Sequence, residues 1–315
     1  MSLSRYVNAL LSHFDIALTR RSTLDRVMSN LPGEVRIHGL LASVKGGAAH
    51  TAGSLRRVDE NELLRHQIAL KWELIDLLER LTNKNPPLRQ CSLCGYESEA
   101  EKFVNLEAYC VFGGGTLARH QCPSCDVIFG ADKMFRLSSK ELSQDYEWHY
   151  RVYSESDSTD QEIRAFHALK PSRRGKYLNY GAGAWSRSTH ILRSEGWDVY
   201  AFEPHASASN DTQHVFSDRS ILSAMRFDGI FSNNVLEHLR HPIDELIFMR
   251  DLLQPGGKMA HATPCFEYLY EYTRFHLFFF LGRSRQLLAD KADLAVCDFT
   301  KEGEFMVCLL KPIQE

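Results

Sequence analysis

No stretch of this 315-residue chain is apolar for long enough to cross a bilayer as a helix. The longest apolar run near the C-terminus, Leu277–Leu281, falls far short of the roughly 20 residues that a spanning helix needs. No secretory leader is expected either: His13 and Asp15 interrupt the first apolar helix, and no small-residue cleavage site follows. A cytoplasmic protein is expected. Charge of one sign is equally scarce. The formal net charge of −3 leaves no global field to draw in nucleic acid, so no nucleic-acid partner is expected. The eight cysteines are then thiols or metal ligands rather than a disulfide framework. What is present, 44% hydrophobic and 24% charged residues, is the composition of a soluble globular protein. The length allows one large domain and something smaller.

The chain is organised around Tyr177–Glu203. A short strand (Tyr177–Tyr180) runs into Gly181-Ala182-Gly183, then a helix, then a second strand (Asp198–Phe202) ending on Glu203. Gly181 and Gly183 let the backbone turn sharply and approach a ligand with no Cβ in the way. Ser186 is placed to cap the helix. Glu203, at the tip of the second strand and followed by Pro204, suits a ribose diol, so an adenosine-bearing cofactor is expected. The dinucleotide fingerprint is incomplete, because Ser186 stands where its third glycine belongs and Trp185 would crowd a pyrophosphate.

Ahead of this unit, Leu3, Tyr6, Val7, Leu10, Leu11, Phe14 and Leu18 have helical spacing, and the glycine-rich residues 31–57 read as a loop or linker. Asp59 opens a long helix. Along it Leu63, Leu70, Leu74, Leu77 and Leu81 form a seam with coiled-coil spacing, beside a second stripe of Leu64, Ile68, Ile75 and Leu78. Self-association through these N-terminal helices is expected. Next, Cys91-Ser-Leu-Cys94 and Cys122-Pro-Ser-Cys125 form two C-x₂-C knuckles, able to give four thiolates to one tetrahedral zinc. Four protein ligands leave no open position, so the zinc would be structural. Cys110 and His120 are bystanders. The aromatic stretch Glu141–Glu155 reads as interdomain packing or a lid.

Beyond Glu203, strands are expected at His214–Phe216, Phe227–Ser232 and Lys258–Thr263, with a helix from Pro242 to Leu253 and a closing hairpin of Leu294–Phe299 and Glu304–Lys311. Strand–helix alternation ending in a hairpin is an α/β sheet with one antiparallel strand inserted. The expected divisions are a helical region (1–87), a zinc-binding module (88–135), an aromatic linker or lid (136–159) and the α/β domain (160–315).

The turn Tyr180-Gly181-Ala182-Gly183, the acid Glu203, Asn233-Asn234-Val235-Leu236-Glu237-His238-Leu239 after the fourth strand, and Leu253-Gln-Pro-Gly-Gly257 before the fifth resemble, in that order, the class I S-adenosylmethionine-dependent methyltransferases. The resemblance implies a Rossmann-like seven-stranded sheet and S-adenosylmethionine as cofactor. It would place the Tyr180–Gly183 backbone against the methionine part, Glu203 on the ribose hydroxyls, Asp218 near adenine, and Asn233 with Val235 around the sulfonium. Asn179 stands where an acidic residue is usual. The cysteine knuckles and Tyr146, Tyr150 and Tyr153 are also similar to sugar methyltransferases of deoxysugar and surface-polysaccharide pathways. That implies a sugar or glycan acceptor, O-methylation ahead of C-methylation, and peripheral association with membrane-bound glycan machinery. His238 and His276 are the candidate bases, with Glu237 to orient either imidazole or to join them around a metal. A quinone-type O-methyltransferase and a non-catalytic zinc-ribbon binder are the alternatives.

Overall fold

The computed structural model describes residues 59–82, 88–154, 157–183, 186–204 and 214–313. The expected helix at Leu3–Leu18, the linker 31–57 and Trp185 lie outside the described residues. The chain divides into two compact units, Met1–Asn85 with Phe112–Gly115, and Pro86–Val111 with Thr116–Glu315.

In the first unit, helix α1 spans Glu60–Thr82. Asp59 Oδ1 accepts the Asn61 amide at 3.0 Å, which satisfies one donor of the first turn. The two apolar stripes part by burial. Leu64, Ile68 and Trp72 are buried, whereas Leu63, Leu70, Leu77 and Leu81 of the expected seam are about half exposed, at 48%, 46%, 45% and 53%.

The second unit holds a seven-stranded sheet of order β12-β13-β10-β9-β6-β7-β8. Its strands are β6 (Lys176–Tyr180), β7 (Asp198–Phe202), β8 (Val215–Phe216), β9 (Phe227–Asn233), β10 (Leu253–Ala262), β12 (Leu294–Glu302) and β13 (Phe305–Pro312). Strands β6 to β10 pair in parallel, and β13 enters antiparallel between β10 and β12. The expected strands are all there, with shifted ends. The helix expected from Pro242 to Leu253 ends at Asp251, and Leu253–Gly257 instead begins β10, where the register slips between Leu253 and Lys258. Pro255 and the left-handed Gly256 (φ 82°) fit such an irregularity better than a regular ladder. Ala165, Phe166 and Leu169 pack on Tyr177, Val199, Phe231, Ala260 and Val307 in one continuous core. The first three belong to helix α4 (Thr159–Ala168) and the turn after it.

A second, four-stranded sheet, β11-β5-β4-β3, carries the second cysteine knuckle between β4 and β5. Its strands are β3 (Val104–Tyr109), β4 (Thr116–Gln121), β5 (Ile128–Gly130) and β11 (Phe278–Phe279). The hairpin β1 (Leu88–Gln90) and β2 (Glu97–Glu99) frames the first knuckle. Strand β11 comes from far down the chain, so this sheet is not local to the knuckles. The short helix α2 (Asp132–Phe135) follows β5. The aromatic stretch forms helix α3 (Ser139–Val152), opened by a capping box in which Ser138 Oγ accepts the Glu141 amide and Glu141 accepts the Ser138 amide.

Candidate active site

The glycine turn after β6 needs backbone that only glycine adopts at no cost: φ is 74° at Gly181 and 67° at Gly183. A Cβ on Gly181 would meet Val235 Cγ2 at 2.6 Å, whereas one on Gly183 would meet nothing within 4 Å. The first glycine is thus required by packing, and the second faces open space. The Phe202 carbonyl accepts the Gly181 and Ala182 amides at 2.8 and 3.1 Å. Gly183 N donates to Glu203 Oε2 at 3.0 Å, which brings the carboxylate at the end of β7 onto the turn. Ser186 occupies the cap position of helix α5 (Arg187–Ser194), but its hydroxyl donates to Thr189 Oγ1 at 2.5 Å and caps no amide. The expected cap is thereby corrected: the Thr189 hydroxyl outcompetes the backbone.

Asn179 is buried in β6, with Nδ2 donating to Glu162 Oε2 at 2.9 Å and to Ser188 Oγ at 3.2 Å. The Ser158 and Ser188 hydroxyls also donate to Glu162. Oδ1 of Asn179 is buried without a partner among the described residues. The carboxylate absent at position 179 therefore arrives from helix α4. The Tyr180 side chain turns away to donate to Glu245 Oε2 at 2.5 Å. Asp218 is exposed and caps helix α6 (Arg219–Ser223) by accepting the Ser220 amide. Asn233 ends β9, and Pro204 is exposed just beyond Glu203.

Val235 links this half to the second. It touches Gly181, and its carbonyl accepts the His238 amide at 3.0 Å, closing the single turn Leu236–His238. Ligand atoms of Glu237, His238 and His276 lie within 4.8 Å of one another. The two imidazoles meet edge to face, with centroids 4.9 Å apart. Tyr146 Oη and His238 Nδ1 are hydrogen bonded at 3.0 Å. The Tyr146 ring stacks on Phe275 at 4.1 Å and on Tyr150 at 6.0 Å. Sequence patterning does not reveal this pairing, because Tyr146 and His238 stand 92 residues apart.

Burial sets the charge of the inner groups. Glu237 Oε1 accepts from Thr263 Oγ1 at 2.6 Å while Oε2 has no partner among the described residues, and burial pushes its carboxyl up to about 7. Burial holds His276 well below the usual imidazole range, helped by the neighbouring His238 and Arg119. Its Nδ1 lies 3.3 Å from the Cys265 thiol, itself driven upward by burial. His276 is thus neutral, and Glu237 sits at the edge of ionisation.

The second cluster is Cys91, Cys94, Cys122 and Cys125, whose sulfurs all lie within 4.8 Å of one another. Cys91–Cys125 and Cys94–Cys122 are 3.8 and 3.6 Å apart. A tetrahedral ion with Zn–S bonds of about 2.3 Å holds its sulfurs about 3.8 Å apart, so the donors and spacing fit zinc. Both knuckles close alike: the Gly95 amide donates to Cys91 O and the Asp126 amide to Cys122 O. Gly95 and Asp126 both have positive φ, 80° and 69°. The hydrogen bond from Cys125 draws the Cys91 thiol down to about 5, against the opposing effect of burial. Cys110 and His120 lie outside the cluster. His120 Nδ1 contacts Asn105 Oδ1 at 2.9 Å and its Nε2 lies 3.4 Å from Asp132. Cys110 Sγ lies 3.9 Å from Arg274 Nη1.

Residues 148–299 match the model of a family described as a methyltransferase domain. No curated protein matches the chain. Among solved structures, it is similar to a methyltransferase of calicheamicin biosynthesis in its SAH-bound form (10% identity, TM-score 0.42). That match covers 56% of this chain and spans 59% of the other protein's length. It is similar also to the Burkholderia thailandensis 1,6-didemethyltoxoflavin-N1-methyltransferase (16% identity, 63% of this chain and 96% of that one, TM-score 0.46). A third is a TehB-like SAM-dependent methyltransferase from Corynebacterium glutamicum (18% identity, 54% and 98% covered, TM-score 0.37). The glycine turn, Glu203 and the Glu237–His238 turn all lie inside residues 148–299, the stretch that matches the methyltransferase domain.

Proposed function

We propose that the protein transfers a methyl group from S-adenosylmethionine to a hydroxyl of a sugar, in a nucleotide sugar or a surface glycan. The observation that carries this reading is the position of Val235, which touches the glycine turn and accepts the amide of His238. A basic imidazole thereby stands one turn from the cofactor cradle. Bound there, the cofactor supplies an electrophilic sulfonium methyl.

The chain's own residues supply position and a base. Glu203 accepts from the ribose hydroxyls, and the Asn179–Glu162 pair lies on the methionine side, where Oδ1 of Asn179 has no other partner. With its proton on Nδ1, His238 donates to Tyr146 Oη and presents Nε2 as the basic atom. During transfer to the acceptor oxygen, with the cofactor leaving as its sulfide, the acceptor's hydroxyl proton would pass to Nε2 of His238. Held neutral, His276 keeps a second positive charge off the imidazolium that forms. The exposed ring of Tyr150, stacked on Tyr146, offers an apolar face of the kind that packs on sugar rings, and buried Phe275 backs Tyr146. We further propose one structural zinc on Cys91, Cys94, Cys122 and Cys125.

The test is incubation with methyl-labelled cofactor and a panel of nucleotide sugars and lipid-linked glycans, with the label located by mass spectrometry. Label on a sugar oxygen supports the reading. Label on a ring carbon replaces O- by C-transfer, and label only on quinols or other phenols added to the same panel overturns the sugar assignment.

A further inference from the structure

The loop between β10 and β11 carries much of the acceptor half of the site. Thr263 holds Glu237, Cys265 meets His276, Phe275 stacks on Tyr146, and the Leu277 amide donates to the Glu237 carbonyl at 2.7 Å. Residues 267–277 are not part of any helix or strand, so something else must fix their path.

That support comes from the cysteine-bearing sheet. Arg119 on β4 is fully buried, and no carboxylate lies in ion-pair range of it among the described residues. Its guanidinium instead donates to three backbone carbonyls of one loop: Glu271 at 2.6 Å, Thr273 at 2.8 Å and His276 at 3.2 Å. One face lies 5.1 Å from the Phe279 ring centroid. A planar fork with donors on both terminal nitrogens can reach three carbonyls of a curved segment, and a lysine ammonium presents only a point. Nearby bonds act the same way. Val111 N donates to Tyr272 O and Gly130 N to Leu277 O, at 3.0 and 3.1 Å. At the second knuckle Asp126 binds the Arg283 backbone amide and side chain.

We infer that Arg119 is a positioning residue for methyl transfer: from the cysteine-bearing sheet it sets the path of residues 271–276, and so places His276 and Phe275 against His238 and Tyr146. The inference rests on the reading that these side chains face the acceptor. It assigns the cysteine module a part in the reaction without contact with the cofactor. The acceptor half of the site is tied to the module.

The test compares wild type with Arg119→Lys, which keeps the charge and loses the fork, and Arg119→Met, which keeps the stem. Amide hydrogen exchange is followed at Phe275 and Leu277 and, as a control, at β6 and β7. Binding of S-adenosylhomocysteine is measured by calorimetry. The expected result is exchange at Phe275 and Leu277 faster by about tenfold or more, with β6 and β7 still protected and S-adenosylhomocysteine affinity unchanged. Turnover with the acceptor from the labelled panel falls, with KM for S-adenosylmethionine constant. If either folded variant keeps wild-type protection at Phe275 and Leu277, or loosens β6 and β7 equally, Arg119 is no positioning residue. If exchange rises as expected while His238→Ala and His276→Ala turn over normally, the positioning stands and the assignment of the histidines fails.

Discussion

At the scale of single residues, the site separates groups that hold the cofactor from groups whose charge is tuned by burial. Glu203 belongs to the first kind. A carboxylate bidentate to a diol makes charge-assisted hydrogen bonds, and their loss should cost about 2–3 kcal/mol, roughly 30- to 150-fold in affinity. Calorimetry with S-adenosylmethionine on Glu203→Ala checks this, and wild-type affinity in the folded variant removes Glu203 from the site. Glu237 belongs to the second kind. Burial raises its folded pKa to about 7 from an ordinary value of 4.5, so the folded state favours the protonated form. Its contribution to stability is fully present below pH 4.5 and is lost as pH rises through 7. Glu237→Gln, always neutral, should therefore gain on wild type in melting temperature between pH 5 and pH 8. Parallel pH curves for the two proteins would show that Glu237 is not held protonated.

At the scale of elements, the cysteine knuckles and the glycine turn are legible in the sequence because their chemistry is local. Thiols separated by two residues, and glycines forced to positive φ, mark themselves. What joins those elements is not legible. Strand β11 is two residues long, with no period of its own, and exists only by pairing with β5. Glu162 reaches Asn179 across 17 residues, and Arg119 reaches its carbonyls across 152 to 157. Such contacts follow from tertiary packing, which neither spacing nor propensity encodes. The knuckle pair predicts its own experiment. Cys94→Ser should release the zinc measured by elemental analysis in wild type and unfold the β3–β5 sheet ahead of the large one. Wild type purified without chelator and lacking zinc would contradict the metal.

At the scale of the whole molecule, the chain joins an α/β methyltransferase fold to a cysteine-bearing sheet whose strand β11 comes from within the matched stretch 148–299. No helix among the described residues is long and apolar enough to cross a membrane. The fold class and the closing hairpin were readable because alternating patterns survive along the chain, whereas the strand order is visible only in the fold. The two halves of the site were readable only as separate motifs, and Val235 is where the structure joins them. The central claim is that the cofactor cradle and His238 form one catalytic site. Its most direct measurement is methyl transfer by His238→Ala to the acceptor identified with labelled cofactor, with S-adenosylmethionine affinity measured on the same protein. General-base catalysis is typically worth about 10²–10⁴-fold, so turnover should fall by that factor while affinity stays at the wild-type value. Turnover at the wild-type rate in both His238→Ala and His276→Ala would contradict the account.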